Sequence, residues 1–253
     1  MKSDAPYKIK RLLFDIETVP MEVASYSLWP KAINSDYILN DFYIMCLSYK
    51  WHHEDKIITF YSNKNNDKTL IKKFVKVLEK ADEIIYHNGK KFDYKKFNTR
   101  LIKWGLDPIN KPREVDTLVQ ARKHFSFSSN KLDYLAKFLN CRRKIHIDPY
   151  LWIKCIQGNK EAIKEMGLYN ANDVLVLEDV YNVMAPYIDV GYNYNILNGI
   201  GDRCPKCGSS NFAKKGFSYT AVSVYQRYKC LDCKKQFHSG QRNGRPYKVP
   251  PCR

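Results

Sequence analysis

Acidic side chains recur in this sequence at spacings that could hold metal ions. In the stretch FDIET, Asp15 and Glu17 stand two residues apart at the end of a predicted strand, so both side chains leave one face of it. Asp93 begins a predicted helix, and Asp173 follows Tyr169 by one helical turn. Each feature alone has an ordinary explanation: a solvated strand end, an acid favoured by a helix dipole, or a buried tyrosine–aspartate hydrogen bond. Together, these features provide four carboxylates on three predicted elements, and the four could meet at one point in the fold.

Carboxylates that converge in this way suit a pair of divalent cations. Hard cations such as Mg²⁺ and Mn²⁺ prefer carboxylate oxygens, and hydrolytic sites hold two such ions about 4 Å apart. In phosphodiester hydrolysis one ion activates the attacking water and the other stabilises the departing oxygen. A tyrosine hydroxyl can orient that water, which would explain why Tyr169 shares a helix face with Asp173. We therefore expect two catalytic Mg²⁺ or Mn²⁺ ions.

A second metal site is indicated by cysteine spacing near the end of the sequence. Two C-x2-C pairs, Cys204 with Cys207 and Cys230 with Cys233, are separated by 22 residues. Four thiolates at such a spacing are typical of a closed, tetrahedral, structural zinc site. Redox-active pairs or unliganded thiols are the alternatives, and His238 or Cys252 could replace one ligand. We expect one structural Zn²⁺.

Charge is concentrated in the same region. The net charge is +17, and residues 198–253 carry 12 Lys and Arg against 2 Asp and Glu, whereas the preceding residues carry 31 against 24. A separate module that binds a polyanion is favoured over a merely solvated basic tail. No long apolar run or export signal is present, so we expect a soluble protein without membrane association, in the cytoplasm of a bacterial or phage-infected cell.

Apolar periodicity outlines an α/β domain before this basic region. Strands are predicted in K8IKRLLFDIET, F42YIMCLSYKW and K56IITFYS, the last two as an antiparallel hairpin, and then in E83IIY and R113EVDT. Helices are predicted from residue 67 to about 82, from 92 to 105, near 117–125, within 130–140 and from about 168 to 184. A mixed sheet covered by helices follows from this order.

Three of these stretches, in order, resemble the exonuclease motifs of the DEDD 3′→5′ exonuclease family. They are FDIET, then N88GKKFD, then Y169NAND, and the resemblance extends over residues 8 to about 185. The Tyr-x3-Asp form of the third motif is similar to the tyrosine subclass, which includes proofreading domains of family A and family B DNA polymerases. The resemblance implies a ribonuclease H-like fold, and a set of catalytic residues that comprises the metal ligands Asp15, Glu17, Asp93 and Asp173 with the water-orienting Tyr169.

The same resemblance implies contacts with the substrate strand. Thr18 matches a residue that touches the terminal nucleotide, and Asn88 and Phe92 match strand-contacting residues of the second motif. Simple core packing is the alternative for Phe92. Lys131 stands where a phosphate contact could occur, although a solvated helix face is an equal alternative.

The cysteine-containing segment resembles a zinc ribbon, in which a hairpin joins two metal-binding turns. Basic and aromatic residues interleave along it, and we expect Lys214, Lys215 and Arg227 to contact nucleic acid. Some of the aromatic residues must instead form the small core of the ribbon. The predicted organisation is an exonuclease domain over 1–197, a linker over 198–203, a four-cysteine zinc ribbon over 204–238 and a basic tail over 239–253.

These observations favour a metal-dependent 3′→5′ exonuclease that acts on single-stranded DNA 3′ ends, with a polymerase as a partner supplied in trans. An exoribonuclease would use the same motifs. A catalytically silent DNA-binding or replication scaffold is the non-enzymatic alternative, and the intact acids and Tyr169 argue against it. A transposase-like ribonuclease H enzyme would space its acids differently.

Overall fold

The computed structural model of the chain describes residues 8–63, 66–189 and 191–240. The described residues divide into two compact units: the larger unit within Lys10–Tyr181, and the smaller unit, which comprises Lys8, Ile9 and the described residues from Asn182 onward. Nearly all of the predicted basic tail lies outside the described residues. In the described part, no helix is both long enough and apolar enough to cross a membrane.

A five-stranded mixed sheet forms the centre of the larger unit. Its strands are β1 (Arg11–Thr18), β4 (Ile44–Trp51), β5 (Ile57–Tyr61), β6 (Glu83–Tyr86) and β7 (Arg113–Asp116), in the spatial order β5-β4-β1-β6-β7. β1 pairs antiparallel with β4 and parallel with β6, and β4 pairs antiparallel with β5. The predicted α/β class, mixed sheet and hairpin are therefore confirmed. A separate two-stranded sheet, β2 (Glu22–Val23) with β3 (Ile38–Asn40), and a 3-10 helix, Ser35–Tyr37, were not predicted.

Helices cover this sheet. They are α1 (Lys68–Leu78), α2 (Asp93–Lys103), α3 (Thr117–His124), α4 (Leu132–Phe138), α5 (Leu151–Ile156) and α6 (Lys160–Met184). The apolar stripe of α1 packs into the main core through Phe74, whose ring lies 5.1 Å from that of Phe14 on β1 and 5.3 Å from that of Phe97 on α2. This shared core fixes β1 against α2, the two elements that carry the first predicted acids.

The long helix begins earlier than the sequence pattern suggested. We predicted a start near residue 168, with a less regular region before it, but α6 begins at Lys160 and α5 forms in that region. Asn159 explains the difference, because its Oδ1 accepts a hydrogen bond from the Ala162 backbone N–H at 2.9 Å and so caps the first turn. Gly158, with a φ of 83°, ends the preceding helix in the left-handed conformation.

The smaller unit contains a short helix and a three-stranded antiparallel sheet. Helix α7 (Tyr194–Asn198) precedes β8 (Phe212–Tyr219), β9 (Val224–Cys230) and β10 (Gln236–His238), and β9 lies between the other two strands. The predicted hairpin is present as β8 and β9, whereas β10 was not predicted. Helix α7 forms in a stretch predicted to be irregular because Asn193 caps its first turn and Gly199, with a φ of 64°, ends it.

Candidate active site

Strand β1 presents two acids at the centre of the larger unit. Asp15 and Glu17 alternate with the buried Phe14 and Ile16, so their side chains share the opposite face of the strand. One carboxylate oxygen from each of Asp15, Glu17 and Asp173 lies within 4.8 Å of the other two. The register of β1 with β4 shifts between Glu17 and Thr18, and such bulges often adjoin active sites. Three predicted acids therefore form one acidic cluster.

Asp93 joins this cluster through the backbone of β1. The strands β1 and β6 pair only as far as Leu13 and Ile85, so the N–H of Ile16 lies beyond that ladder. Asp93, the first residue of α2 and only 3% exposed, accepts a hydrogen bond from this N–H at 3.3 Å. Because Ile16 lies between the two β1 acids, the fourth predicted acid is held beside them.

Helix α6 supplies the remaining groups. Tyr169 packs beside a second cluster of buried side chains from β4, α5 and α6, and its ring meets that of Trp152 edge-on at 6.4 Å. One turn further along, Asp173 is 3% exposed. Between them, the buried Asn170 donates through Nδ2 to Asp15 Oδ2 at 2.7 Å. Sequence reasoning missed Asn170, although its position one turn before Asp173 places it on the same side of the helix.

Burial raises the pKa of every acid in this cluster, and repulsion between the acids adds to the shift at Asp15 and Glu17. Burial and then repulsion from Asp93, Glu17 and Asp173 hold the pKa of Asp15 well above its usual value. Burial and the Asp173 charge raise the pKa of Glu17 to about 8. Burial raises the pKa of Asp93 to about 7, although backbone hydrogen bonds oppose the shift. Such shifts indicate a site that lacks enough positive charge of its own.

Lys144 contributes a positive charge to this site. Its Nζ lies 2.6 Å from Asp173 Oδ2 and donates to the Tyr169 hydroxyl at 3.4 Å. Although burial opposes the charged form, attraction to Asp173 raises the pKa of Lys144 above its usual value. Sequence reasoning did not identify Lys144, which lies outside regular secondary structure.

The donor set fits divalent cations. Asp173 Oδ1 is buried and has no hydrogen-bond partner among the described residues, so one oxygen of the cluster remains available to a cation. The other groups are carboxylate oxygens, which are the ligands that Mg²⁺ and Mn²⁺ prefer. Lys144 does not neutralise the four acids, in agreement with the raised pKa of Glu17.

The rim of the site is organised by another lysine that the sequence analysis missed. Lys96 Nζ donates to Thr18 Oγ1 at 3.1 Å, and it lies 4.1 Å from the ring centroid of Phe42 and 4.7 Å from that of Phe92. Phe92 is 42% exposed, so its ring is not simply a core residue. Two predicted substrate contacts, Thr18 and Phe92, thus share one ammonium group.

The two other predicted strand contacts occupy different settings. Asn88 has a φ of 66°, and its backbone N–H donates to Asp116 Oδ1 at 3.0 Å. The next residue must be glycine, because a Cβ on Gly89 would come within 2.3 Å of the Tyr86 ring. Lys131 is exposed at the start of α4, and the structure shows no contact of its side chain with the acidic cluster.

The predicted zinc ligands form a compact group in the smaller unit. Sulfur atoms of Cys204, Cys207, Cys230 and Cys233 all lie within 4.8 Å of one another. Two of the separations are 3.6 Å and 3.7 Å. Four thiolates around zinc at a Zn–S distance of about 2.3 Å would be about 3.8 Å apart. The geometry is therefore compatible with a zinc site made of four cysteines.

In the smaller unit, some aromatic rings form a core while basic side chains are exposed. Phe212, Tyr228 and Phe237 contact one another with ring centroids 5.2 to 5.6 Å apart, and form its small core. The predicted contact residues are all exposed: Lys214, Lys215 and Arg227. Arg227 Nε donates to the Lys215 carbonyl at 2.9 Å, which places these two residues side by side on β8 and β9.

The chain belongs to the RNase H superfamily. A family model with the description RNase_H superfamily matches residues 39–185, which is more than half of the chain. The matched segment includes Asp93, Tyr169 and Asp173 and begins after the two acids of β1. The α/β fold and the acidic cluster described above agree with this membership.

A polymerase sequence and a polymerase structure are also similar to this chain. The DNA polymerase III PolC-type of Ureaplasma parvum serovar 3 is 32% identical over 124 residues, which cover 49% of this chain and 7% of that protein. The family B DNA polymerase from the archaeon Pyrobaculum calidifontis matches with a TM-score of 0.55 and 14% identity, over 87% of this chain and 32% of that one. At that identity the structural likeness concerns the fold alone.

Proposed function

We propose that the protein is a metal-dependent 3′→5′ exonuclease of the DEDD tyrosine subclass, acting on single-stranded DNA by a two-metal mechanism. The observation that carries the proposal is the convergence of Asp15, Glu17 and Asp173 within 4.8 Å, with Tyr169 one helical turn before Asp173. The DNA polymerase named above as a relative supports DNA as the substrate. A polymerase partner, expected from the sequence, stays a prediction.

Asp15, Glu17, Asp93 and Asp173 would hold two Mg²⁺ or Mn²⁺ ions. When bound, such ions supply Lewis-acid stabilisation of the phosphate charge and lower the pKa of a coordinated water. The raised pKa values of the acids mean that protons compete with these ions for the carboxylates. Asn170 keeps Asp15 in place through its hydrogen bond to Oδ2, which leaves the other oxygen, Oδ1, for a cation.

Tyr169 serves as a hydrogen-bonding group that orients the attacking water. Burial and the neighbouring Asp173 charge raise the pKa of the phenol to about 12, so the hydroxyl keeps its proton near neutral pH. A neutral phenol cannot act as a general base, but it can hold a water by hydrogen bonding. Its position one helical turn from Asp173 places it beside the acidic cluster.

Lys144 stays protonated and performs two tasks. Its contact with the Tyr169 oxygen fixes the direction of the phenol. Its positive charge offsets the negative charge of Asp173. The ammonium group would also attract the negative charge that develops on the phosphate. Lys96 would position the terminal nucleotide indirectly, by holding the Thr18 hydroxyl and the Phe92 ring.

In the smaller unit, the four cysteines would hold a structural zinc ion and so form a zinc ribbon. A zinc ion bound by four thiolates has no open position for catalysis. The exposed cations on β8 and β9 suit phosphate contacts that are independent of base sequence. The ribbon would therefore act as an anchor for nucleic acid.

End-labelled substrates test this function directly. The purified full-length protein would be incubated with single-stranded DNA and RNA that carry the label at either end, in the presence of Mg²⁺ or Mn²⁺. With the label at the 5′ end, a 3′→5′ exonuclease yields a ladder of progressively shorter strands. With the label at the 3′ end, it releases a labelled mononucleotide at once.

Each other result has a defined meaning. Cleavage of RNA in preference to DNA would make the protein an exoribonuclease. A ladder from the 3′-labelled strand would reverse the proposed direction. Binding without cleavage under any divalent ion would indicate a silent scaffold. Activity that is unchanged by a chelator of divalent cations would exclude the metal-dependent chemistry.

A further inference from the structure

Four aromatic rings lie together on the surface of the larger unit, apart from the residues assigned above. We call Phe125, Phe127, Tyr134 and Phe138 the aromatic platform. Ring centroids are 5.0 Å apart between Phe125 and Phe127, 5.3 Å between Phe127 and Phe138, and 6.2 Å between Tyr134 and Phe138. The rings follow one another from the end of α3 to the end of α4.

The platform is accessible, and its surroundings are cationic. Phe138 is 59% exposed, and the three other rings are half-buried. Residues 122–138 contain four exposed cations: Arg122, Lys123, Lys131 and Lys137. The one acid in this stretch, Asp133, pairs with Arg143. The aliphatic residues of α4 are buried on its other side, so the open surface consists largely of rings and positive charges.

The platform is attached to the segment that carries the second acidic motif. The Asn130 carbonyl, between the platform residues of the loop and those of α4, lies 3.0 Å from His87 Nε2. His87 directly precedes Asn88, and the same short segment continues to Phe92 and Asp93. His87 Nδ1 also lies 2.9 Å from Thr117 Oγ1 at the start of α3. His87 therefore connects the second acidic motif both to the loop in the middle of the platform and to the start of α3, the helix that leads to it.

We infer that the aromatic platform binds the bases of a single-stranded nucleic acid outside the acidic cluster. Bases stack on aromatic rings without regard to sequence, and neighbouring lysines and arginines contact the phosphates. A protein partner is less well matched, because an interface core is usually depleted of lysine. This inference rests on the proposed function, and it assigns a second contact region to the same substrate.

Replacement of the most exposed ring tests the inference with the full-length protein. Affinity would be measured by fluorescence anisotropy without added Mg²⁺ or Mn²⁺, so that no strand is cleaved. Phe138→Ala is expected to weaken binding of long oligothymidylate by roughly 5- to 150-fold, the range for loss of one stacked base. Phe138→Trp keeps a ring and should restore the affinity. Ile102→Ala, which removes another exposed apolar side chain, should leave it unchanged.

An abasic strand of equal length separates stacking from charge. It has the same phosphates but no bases, so wild type and Phe138→Ala should bind it equally. The inference is overturned if Phe138→Ala retains wild-type affinity for oligothymidylate, or if it weakens binding to both strands alike. Should the alanine variant fail to fold, Phe138→Trp still decides the question: its fluorescence must be quenched by oligothymidylate beyond that of wild type, and an unchanged signal counts against stacking.

The outcome is distinguishable from failure of the proposed function. Strand binding that depends on Phe138 in a protein that never hydrolyses DNA would retain the platform and remove the exonuclease assignment. Normal trimming by a Phe138→Ala variant whose affinity is unchanged would do the reverse.

Discussion

The two units of the chain hold their candidate metal ligands in opposite ways. In the larger unit, the acids come from residues 15 to 173 and meet because an apolar core fixes β1, α2 and α6. In the smaller unit, the four cysteines all fall within residues 204–233, and the accompanying core is a group of three aromatic rings. We therefore expect the larger unit to fold without bound cations, and the smaller unit, with its small core, to depend on a zinc ion.

The electrostatics differ accordingly. Folding of the larger unit buries acids and brings like charges together, and the cost appears as raised pKa values at Asp15, Glu17 and Asp93. Lys144 reduces that cost in part. Cations bound by the larger unit would take part in catalysis, whereas a cation bound by the smaller unit would stabilise its fold. Four experiments can break or sharpen this distinction.

The largest effect is expected from loss of an acid in the larger unit. Asp15→Asn should abolish hydrolysis, because a neutral amide replaces a ligand that the proposed ions share, while folding survives. Single-turnover trimming of a short oligonucleotide measures the loss. Glu165→Gln, which neutralises an exposed acid on α6, is the matched control and should keep wild-type activity. Near-normal hydrolysis by Asp15→Asn with Mg²⁺ would remove the two-metal assignment.

Loss of the phenol hydroxyl should have the next largest effect. Tyr169→Phe should slow the chemical step by about 10²- to 10³-fold, within the range for a positioned catalytic group. Affinity for the strand should hardly change, since the ring and its contact with Trp152 remain. Rate and affinity would be measured separately, in single-turnover hydrolysis and in binding without divalent ions. A variant with an intact rate and weakened binding would make Tyr169 a binding residue.

The catalytic acids and Tyr169 could be predicted from short-range spacing in the sequence. Lys144 and Lys96 could not, because their roles depend on contacts between distant parts of the chain. The spacings of Asp15 with Glu17 and of Tyr169 with Asp173 each follow from one element's geometry. Lys144 reaches Asp173 from an irregular segment well before α6, and its role depends on the path of that segment. Lys96 lies on the predicted helix α2, yet its partners Thr18 and Phe42 come from distant parts of the chain.

The smaller unit yields the third prediction. Cys230→Ser should release zinc and expose residues 204–238 to proteolysis, while the larger unit stays folded. Affinity for long single strands should fall, and the salt dependence should become shallower by about 0.7 for each phosphate that the protein no longer neutralises. Hydrolysis of short oligonucleotides should persist.

A matched variant outside the cysteine group controls for the removal of a thiol. Cys141→Ser removes a half-buried thiol of the larger unit and should retain zinc and the full salt dependence. If Cys230→Ser stays protected from proteolysis and keeps its affinity, zinc does not hold this unit together. If Cys230→Ser stops trimming short oligonucleotides, the ribbon contributes to the catalytic site.

The smallest effect concerns the stability of the larger unit against pH in protein that retains zinc but lacks added Mg²⁺ or Mn²⁺. Burial raises the pKa of Glu17 from 4.5 to about 8 and that of Asp93 from 3.8 to about 7. The folded protein therefore binds more protons than the unfolded chain between these values. The associated stability is fully present below the unfolded pKa values and is lost as pH rises through the folded ones.

The melting temperature should therefore fall between about pH 5 and about pH 8, with roughly 2–4 °C lost for each 1 kcal/mol in a chain of this size. Saturating Mg²⁺ should reduce the fall, because cations replace the protons on the acids. Glu17→Gln should flatten the dependence, since its amide does not titrate, whereas Glu165→Gln should leave it unchanged. An equal fall in Glu17→Gln and wild type would mean that the acidic cluster does not control the pH response. A rise in melting temperature over this range would show that the acids gain stability from ionisation, and Lys144 would then already compensate their charge.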